Sequence, residues 1–174
     1  MGNFIKRRSH RGFTLVELLM AILVSALILA FGIPAFNNLI EKTRIKSTAG
    51  EIVDLLRLAR LTAVEQSLSI IVCGSAGDTG TCSDDAESWG DTLLAIKPLT
   101  DGTEETIARI NIRNRAIVSK TGTAVRVDIE FNPSGWSPAG AGSFYVCPKS
   151  GGNDNAIRIK LALSGKVSSE THPG

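Results

Sequence analysis

One charged residue lies at the edge of a long apolar segment near the start of the chain. Glu17 is followed by a run without any charge, Leu18–Phe36. An ionisable group at the depth of a lipid bilayer costs about 2.5–3.5 kcal/mol on insertion scales, so we expect it to have a counter-charge. Cleavage after Gly12 would create an amine on Phe13, one helical turn from Glu17. That amine, on the same chain or on a neighbour, is the expected partner.

The residues around this charge resemble the prepilin signature of type IV pilins and type II secretion pseudopilins. A basic leader ends at Gly12 and is followed by Phe13, a Thr-Leu pair, Glu17 and the apolar run. The resemblance implies that a prepilin peptidase cuts between Gly12 and Phe13 and methylates the new amine. It also implies that Glu17 helps the subunit to dock into a growing filament. A secretory signal peptide shares the order of basic and apolar residues, but Glu17 argues against it.

The N-terminal pattern predicts one helix from Phe13 to about Ser67. Residues 13–36 are long and apolar enough to span a bilayer of about 30 Å at about 1.5 Å per residue. Pro34 removes a backbone donor, so a kink or local melting is expected near Gly32 and Pro34. Beyond Pro34 the sequence predicts an amphipathic helix, assigned to residues 37–67, because apolar residues recur at three- and four-residue steps. These residues are Phe36, Leu39, Ile40, Ala49, Ile52, Val53, Leu56, Ala59, Ala63 and Val64.

The remainder, residues 68–174, predicts a β-rich domain on which the amphipathic helix packs. Short separations rich in Gly, Pro, Asn and Ser favour mostly antiparallel pairing. The candidate strands are Leu68–Cys73, Thr92–Ile96, Thr106–Ile112, Ala124–Phe131, Ser143–Cys147 and Ala156–Leu163. With residues 1–12 as the leader, the fold class is α+β, with a pilin-like long N-terminal helix.

The soluble region resembles the GspH/FimT (FimU) group of minor pilins and pseudopilins. The residues that carry this resemblance are Cys73, Cys82, Trp89-Gly90, Phe131-Asn132-Pro133, Gly135, Phe144-Tyr145-Val146-Cys147, Ile157-Arg158-Ile159 and Ser164-Gly165-Lys166-Val167. The resemblance implies a structural subunit of a type IV pilus or a type II secretion pseudopilus, without enzymatic activity or cofactor. It implies a single pass through the inner membrane, with the N-terminus cytoplasmic and the C-terminal domain periplasmic. The implied partners are the prepilin peptidase, other major and minor pilins or pseudopilins, and membrane lipid.

Three cysteines would lie beyond the membrane, where disulfides form. Cys73 and Cys82 flank a short Gly-rich loop, so their pairing is favoured, and a loop of this size adds about 2–3 kcal/mol. Pairing of Cys82 with Cys147 is the main rival. A metal site is not expected, because the only histidines are His10 and His172 and no two cysteines have zinc-ligand spacing. Calcium at Asp78, Asp84 and Asp85 is a weak alternative, since the EF-hand spacing is missing.

A DNA-binding minor pilin acting in natural transformation is the alternative within the same group. Some members use a C-terminal Gly-Arg-x-Arg motif, and this chain has Gly165-Lys166-Val167-Ser168 at the matching positions. Half of the motif is lost, so Arg158, Lys160 and Lys166 are the DNA-contact candidates. After removal of the leader the chain carries 15 basic and 17 acidic residues, so general nucleic-acid affinity is not implied. A further alternative, a monomeric periplasmic binding domain on a signal anchor, predicts no cleavage at Gly12.

Overall fold

The computed structural model describes residues 12–75, 81–82, 92–99, 102–112, 116–121, 128–138, 141–149 and 155–171. Four parts of the sequence-based expectations lie outside these ranges. They are the leader before Gly12, the Gly-rich loop with Asp78, the segment containing Asp84, Asp85 and Trp89-Gly90, and the N-terminal part of the strand expected from Ala124. Two compact units divide between Ile40 and Glu41.

A single helix, α1, runs from Leu15 to Gln66. It begins two residues later than predicted, because the side chain of Thr14 accepts a hydrogen bond from the backbone N–H of Glu17 and so caps the helix. It ends where Ser67 adopts a φ of 53°. The helix continues through Gly32 and Pro34 without interruption, so the backbone is not locally melted there. The kink itself stays a prediction.

The part of α1 before Glu41 exposes its apolar side chains. An 18-residue window of the helix has a mean hydropathy of 2.6, and none of that window is buried inside the protein. The helix is therefore long and apolar enough to cross a membrane by length and composition.

The part of α1 after Ile40 buries one face in the core of the second unit. Its buried residues are Ile45, Thr48, Ala49, Ile52, Val53, Leu55, Leu56, Ala59, Thr62 and Ala63. The amphipathic pattern holds from Ala49 to Ala63, but four residues that were assigned to it are exposed. Phe36, Leu39 and Ile40 are 61%, 60% and 41% exposed, and they precede the part of α1 that packs on the sheets. Val64 is 47% exposed and lies at the edge of the apolar stripe, beside the turns that close this end of the domain.

Two four-stranded antiparallel sheets form the rest of the domain. The strands are β1 Ile70–Ser75, β2 Thr92–Pro98, β3 Glu104–Asn111, β4 Ile117–Thr121, β5 Ile129–Phe131, β6 Gly142–Cys147, β7 Ile157–Leu161 and β8 Val167–Thr171. The first sheet has the order β3-β2-β1-β5, and the second has the order β4-β6-β7-β8. Every pairing is antiparallel. The predicted α+β pilin-like architecture is thus confirmed.

Two strands were not predicted, and both lie at edges of the second sheet. The first is β4, and the second is β8, in which only Val167 is buried. An exposed edge strand is commonly protected from further pairing by polar and charged side chains, and β8 carries Ser168, Ser169 and Glu170. The strand predicted to begin at Ala124 is observed only over Ile129–Phe131 among the described residues, and Asp128 is not part of it.

One hydrophobic core joins α1 to the inner faces of both sheets. Phe131 from the first sheet and Phe144 from the second are fully buried in it. The first sheet also buries part of its outer face, where Cys73, Leu94 and Ile96 form a second cluster with Cys82 packed against it. Burial on both faces explains why β1 and β2 are almost continuously apolar rather than alternating.

Candidate functional site

The N-terminal end of α1 holds the candidate assembly site. Thr14 contributes two hydrogen-bond acceptors: its Oγ1 is 3.2 Å from the Glu17 nitrogen, and its carbonyl oxygen is 3.1 Å from the Leu18 nitrogen. The sequence Thr-Leu-Val-Glu has the spacing of a capping box, in which the glutamate carboxylate also accepts a hydrogen bond from the backbone N–H of the capping residue. Only the bond made by Thr14 is present. Within the described residues, the Glu17 carboxylate has no hydrogen bond or ion pair.

Phe13 precedes the helix and is 81% exposed. Gly12 is also exposed, and a Cβ at this position would have no atom within 4 Å. The peptide bond between Gly12 and Phe13 is therefore flanked by two exposed residues. Because the helix starts at Leu15, Phe13 does not stand one helical turn below Glu17. Phe13 therefore lies outside the helix over which the spacing of one turn was expected.

A disulfide joins Cys73 and Cys82, the pairing that the sequence favoured, with their Cα atoms 5.6 Å apart. It holds the segment containing Cys82 over the outer face of the first sheet, beside Leu94 and Ile96. Cys147 is a free thiol at the end of β6. Partial burial raises the pKa of this thiol above its usual range, so its reactive thiolate form is less populated at neutral pH.

Two of the three DNA-contact candidates lie side by side on the outer face of the second sheet. Arg158 lies opposite Glu170 in the β7–β8 register, and Lys160 lies two residue pairs further along, on the same face of the sheet. The Glu170 carboxylate is 2.6 Å from the Lys160 ammonium and 3.5 Å from the Arg158 guanidinium. Arg158 also donates to the Ser143 hydroxyl at 3.0 Å. The two cations thus share a carboxylate that would compete with a DNA phosphate, and the sequence reasoning missed Glu170.

The third candidate, Lys166, lies in a different setting, on the turn that joins β7 to β8. The turn is closed by hydrogen bonds from the Gly165 nitrogen to the Ala162 carbonyl and from the Ala162 nitrogen to the Lys166 carbonyl. Lys166 lines a groove of about 380 Å³ with Arg57 and Arg60 of α1. It therefore shares a groove with helix residues that the sequence did not connect with it.

Arg60 connects the β7–β8 turn to a second turn, which lies between β5 and β6. Its Nε donates to the Gly135 carbonyl oxygen at 3.0 Å. Gly135 and Gly165 have φ angles of 75° and 74°, and a Cβ on Gly165 would overlap the Gly135 carbonyl. The glycine at the position of the DNA-receptor motif is thus required by the packing of two turns. Nothing in the described part of the chain supports the DNA-binding alternative, which stays a prediction.

No cluster of three or more His, Cys, Asp or Glu side chains that could hold a metal ion occurs among the described residues. The calcium alternative at Asp78, Asp84 and Asp85 falls outside them.

The comparisons with known proteins identify the family. Residues 48–165 match the family model of the type II transport protein GspH, and residues 7–33 match the prokaryotic N-terminal methylation motif. The chain belongs to the GspH family. The second match covers the junction at Gly12 and Phe13 together with Glu17, so it implies processing by a prepilin peptidase.

Individual relatives agree with this family. The chain is 26% identical over 156 residues to a fimbrial protein of Pseudomonas aeruginosa, covering 82% of this chain and 99% of the relative. The type IV minor pilin FimU of Pseudomonas aeruginosa has a similar fold, with a TM-score of 0.57 and 20% identity over 75% of this chain and 90% of FimU. The minor pseudopilin EpsH of Vibrio cholerae gives a TM-score of 0.56 and 13% identity over 76% and 96% of the two chains.

The family match and the pilin-like fold together establish what this GspH-family chain is. It is a minor pilin or pseudopilin, a structural subunit of a type IV pilus or of a type II secretion pseudopilus.

Proposed function

We propose that this subunit enters its filament through the N-terminal part of α1, and that Glu17 pairs there with the Phe13 amine of a neighbouring subunit. The leader is removed between Gly12 and Phe13, which creates that amine. The apolar helix then leaves the bilayer and packs among related helices. The subunit works by packing rather than by catalysis, in the inner membrane first, with its N-terminus cytoplasmic and its β-rich domain periplasmic.

The observation that carries this proposal is that the Glu17 carboxylate has no hydrogen-bond or ion-pair partner among the described residues. Thr14 already caps the helix by accepting from the Glu17 backbone N–H, so the carboxylate is not needed for that bond. The carboxylate has no partner elsewhere in the described chain, although a lone charge in an apolar segment is costly. An amine supplied by a neighbour during assembly would remove that cost, which supports a role in docking rather than in folding.

The apolar surface of the same segment supports packing against other helices. Leu15, Phe31 and Phe36 are 74%, 78% and 61% exposed, and they lie on different sides of the helix. A helix that is apolar all round is buried in lipid or among other helices. Lipid before assembly and neighbouring helices after it would satisfy this requirement in turn.

The test compares the wild-type chain with Glu17→Ala in cells that contain the assembly machinery. Mass spectrometry of membrane-extracted protein should show a chain that begins at N-methylated Phe13 for both. Insertion into the membrane should persist in the variant, since the substitution removes a costly group from lipid. Incorporation into sheared filaments and pulldown with partner subunits should fall for the variant.

Thr14→Ala is the matched control, because it weakens the helix cap by about 1 kcal/mol while the carboxylate remains. Its incorporation should exceed that of Glu17→Ala. Equal incorporation of Glu17→Ala and wild type would refute the docking role. A chain that still begins at Met1 in the presence of active prepilin peptidase would favour a domain on a plain signal anchor.

A further inference from the structure

An open groove of about 370 Å³ lies between α1 and the edge strand β8. Lys42 and Lys46 line its helix side, and Ser169 and Thr171 of β8 line the other side. Buried Ala49 and half-buried Ile157 also contribute to its lining. The groove thus combines two ammonium groups, two hydroxyl groups and a partly apolar surface.

The two lysines have no described counter-charge. Residues four apart on a helix are neighbours, so two like charges at this spacing repel each other. Neither Lys42 nor Lys46 makes an ion pair within the parts of the chain that the structure describes. Glu170 also lines the groove, but its carboxylate is engaged by Lys160 at 2.6 Å and Arg158 at 3.5 Å. Among the described residues, the groove therefore carries more positive than negative charge, which an anion would balance.

Gly50 keeps the helix side of the groove open. Glycine inside a helix lowers its stability relative to alanine, so its presence calls for a reason. Packing does not supply one, because a Cβ on Gly50 would meet no atom within 4 Å. A larger side chain here would instead occupy part of the groove.

Lys42 and Lys46 lie two and six residues after Ile40, the last residue before the charged stretch of the sequence. Basic residues normally concentrate on the cytoplasmic flank of an anchor, so membrane orientation does not explain Lys42 and Lys46 on the opposite flank.

We propose that this groove binds the phosphate of an anionic phospholipid headgroup while the subunit waits in the membrane. Lys42 and Lys46 supply the charge, and Ser169 and Thr171 supply hydroxyl donors. The inference rests on the proposed membrane orientation, in which Lys42 and Lys46 follow the apolar segment on its periplasmic side. It gives the lipid a defined binding site on the folded domain, beyond general contact with the apolar helix.

The experiment is native mass spectrometry of the full chain in mild detergent, titrated with dioleoyl phosphatidylglycerol or dioleoyl phosphatidylcholine. The wild type should retain phosphatidylglycerol in preference. The variant Lys42→Gln/Lys46→Gln should lose this preference, by about fivefold for each lysine and about thirtyfold for both. Millimolar inorganic phosphate should not displace the lipid.

Two control variants isolate the groove from net charge and from folding. Lys97→Gln/Lys149→Gln removes the same charge elsewhere on the domain and should keep the wild-type preference. Gly50→Leu leaves every charge in place and fills the groove, so it should weaken phosphatidylglycerol retention without lowering thermal stability. Gly50→Ala, which fills little of the groove, should retain the lipid as the wild type does.

Equal retention of both lipids by the wild type, or unchanged selectivity in Lys42→Gln/Lys46→Gln, would overturn the proposal. Displacement by inorganic phosphate would show a site for free phosphate instead. These results are separable from those on assembly, because cleavage at Gly12 and the role of Glu17 do not depend on the groove. An unprocessed chain would defeat the proposed function while leaving the lipid selectivity measurable.

Discussion

Replacing Gly165 by alanine should destabilise the β-rich domain more than the same replacement at Gly50 or Gly102. Gly165 has a φ of 74°, a conformation that costs an L-residue about 1–2 kcal/mol. A Cβ at this position would also overlap the carbonyl oxygen of Gly135. Relief of that overlap requires the two turns to separate, and this movement breaks the hydrogen bond from Arg60 to Gly135.

The magnitude follows from adding these two effects. A hydrogen bond from a charged donor contributes about 1.5–3 kcal/mol, so Gly165→Ala should cost about 2.5–5 kcal/mol in total. That is a large part of the roughly 5–15 kcal/mol that stabilises a typical domain. Gly102 provides the comparison, since its φ is 82° in a turn with the same hydrogen bonds, but a Cβ there meets no atom within 4 Å. Gly102→Ala should therefore cost only about 1–2 kcal/mol.

The assay is urea unfolding of the full chain in mild detergent, followed by tryptophan fluorescence. Gly50→Ala completes the series, and it should raise stability by about 0.5–1 kcal/mol because its backbone is helical and its surroundings are open. In an Arg60→Met background the excess cost of Gly165→Ala over Gly102→Ala should shrink, because the shared hydrogen bond is already absent. Equal costs for Gly165→Ala and Gly102→Ala would refute the argument from the packed turns.

Two further predictions concern charge and thiol chemistry. Glu170→Gln removes the carboxylate shared by Arg158 and Lys160. The wild type should bind labelled duplex DNA weakly at physiological salt, and at low salt the variant should bind it more tightly than the wild type does. Unchanged binding at low salt would show that these cations do not face DNA. Non-reducing peptide mapping should find Cys73 linked to Cys82, and a mapped peptide that links Cys82 to Cys147 would contradict this assignment. The free thiol of Cys147 should react slowly with maleimide at neutral pH, and it should react faster as the pH rises toward its raised pKa.

The long helix and the central strands could be predicted because their signals are local. The apolar run, the three- and four-residue spacing and the alternation within β7 are all properties of neighbouring residues. The boundaries near Thr14 and Ser67 differed by one or two residues, since capping decides where a helix begins and ends. The disulfide was also a local inference, because a Gly-rich loop of few residues brings Cys73 and Cys82 together.

The edge strands could not be predicted in the same way. Val167 is the only buried residue of β8, so its pattern resembles an exposed loop. What makes it a strand is the register with β7, which pairs Ile157 with Thr171 and Leu161 with Val167. Such pairing joins residues that are distant in the sequence, and a period of two within five residues carries too little information to reveal it.

The same cause explains the main difference at the candidate sites. Arg158, Lys160 and Lys166 were grouped by charge and by nearness in the sequence, but the β7–β8 register places Glu170 against the first two. The turn directs Lys166 toward a groove that it shares with Arg60. In a hairpin, each charge is controlled by the residue across the ladder more than by the residue beside it in the chain. Glu17 is the contrasting case, because no charge follows it before Glu41, and its place at the edge of the apolar segment is visible in the sequence alone. The docking role proposed for Glu17 therefore depends on neighbours in the chain, whereas the setting of Arg158 and Lys160 depends on a strand register that the sequence does not show.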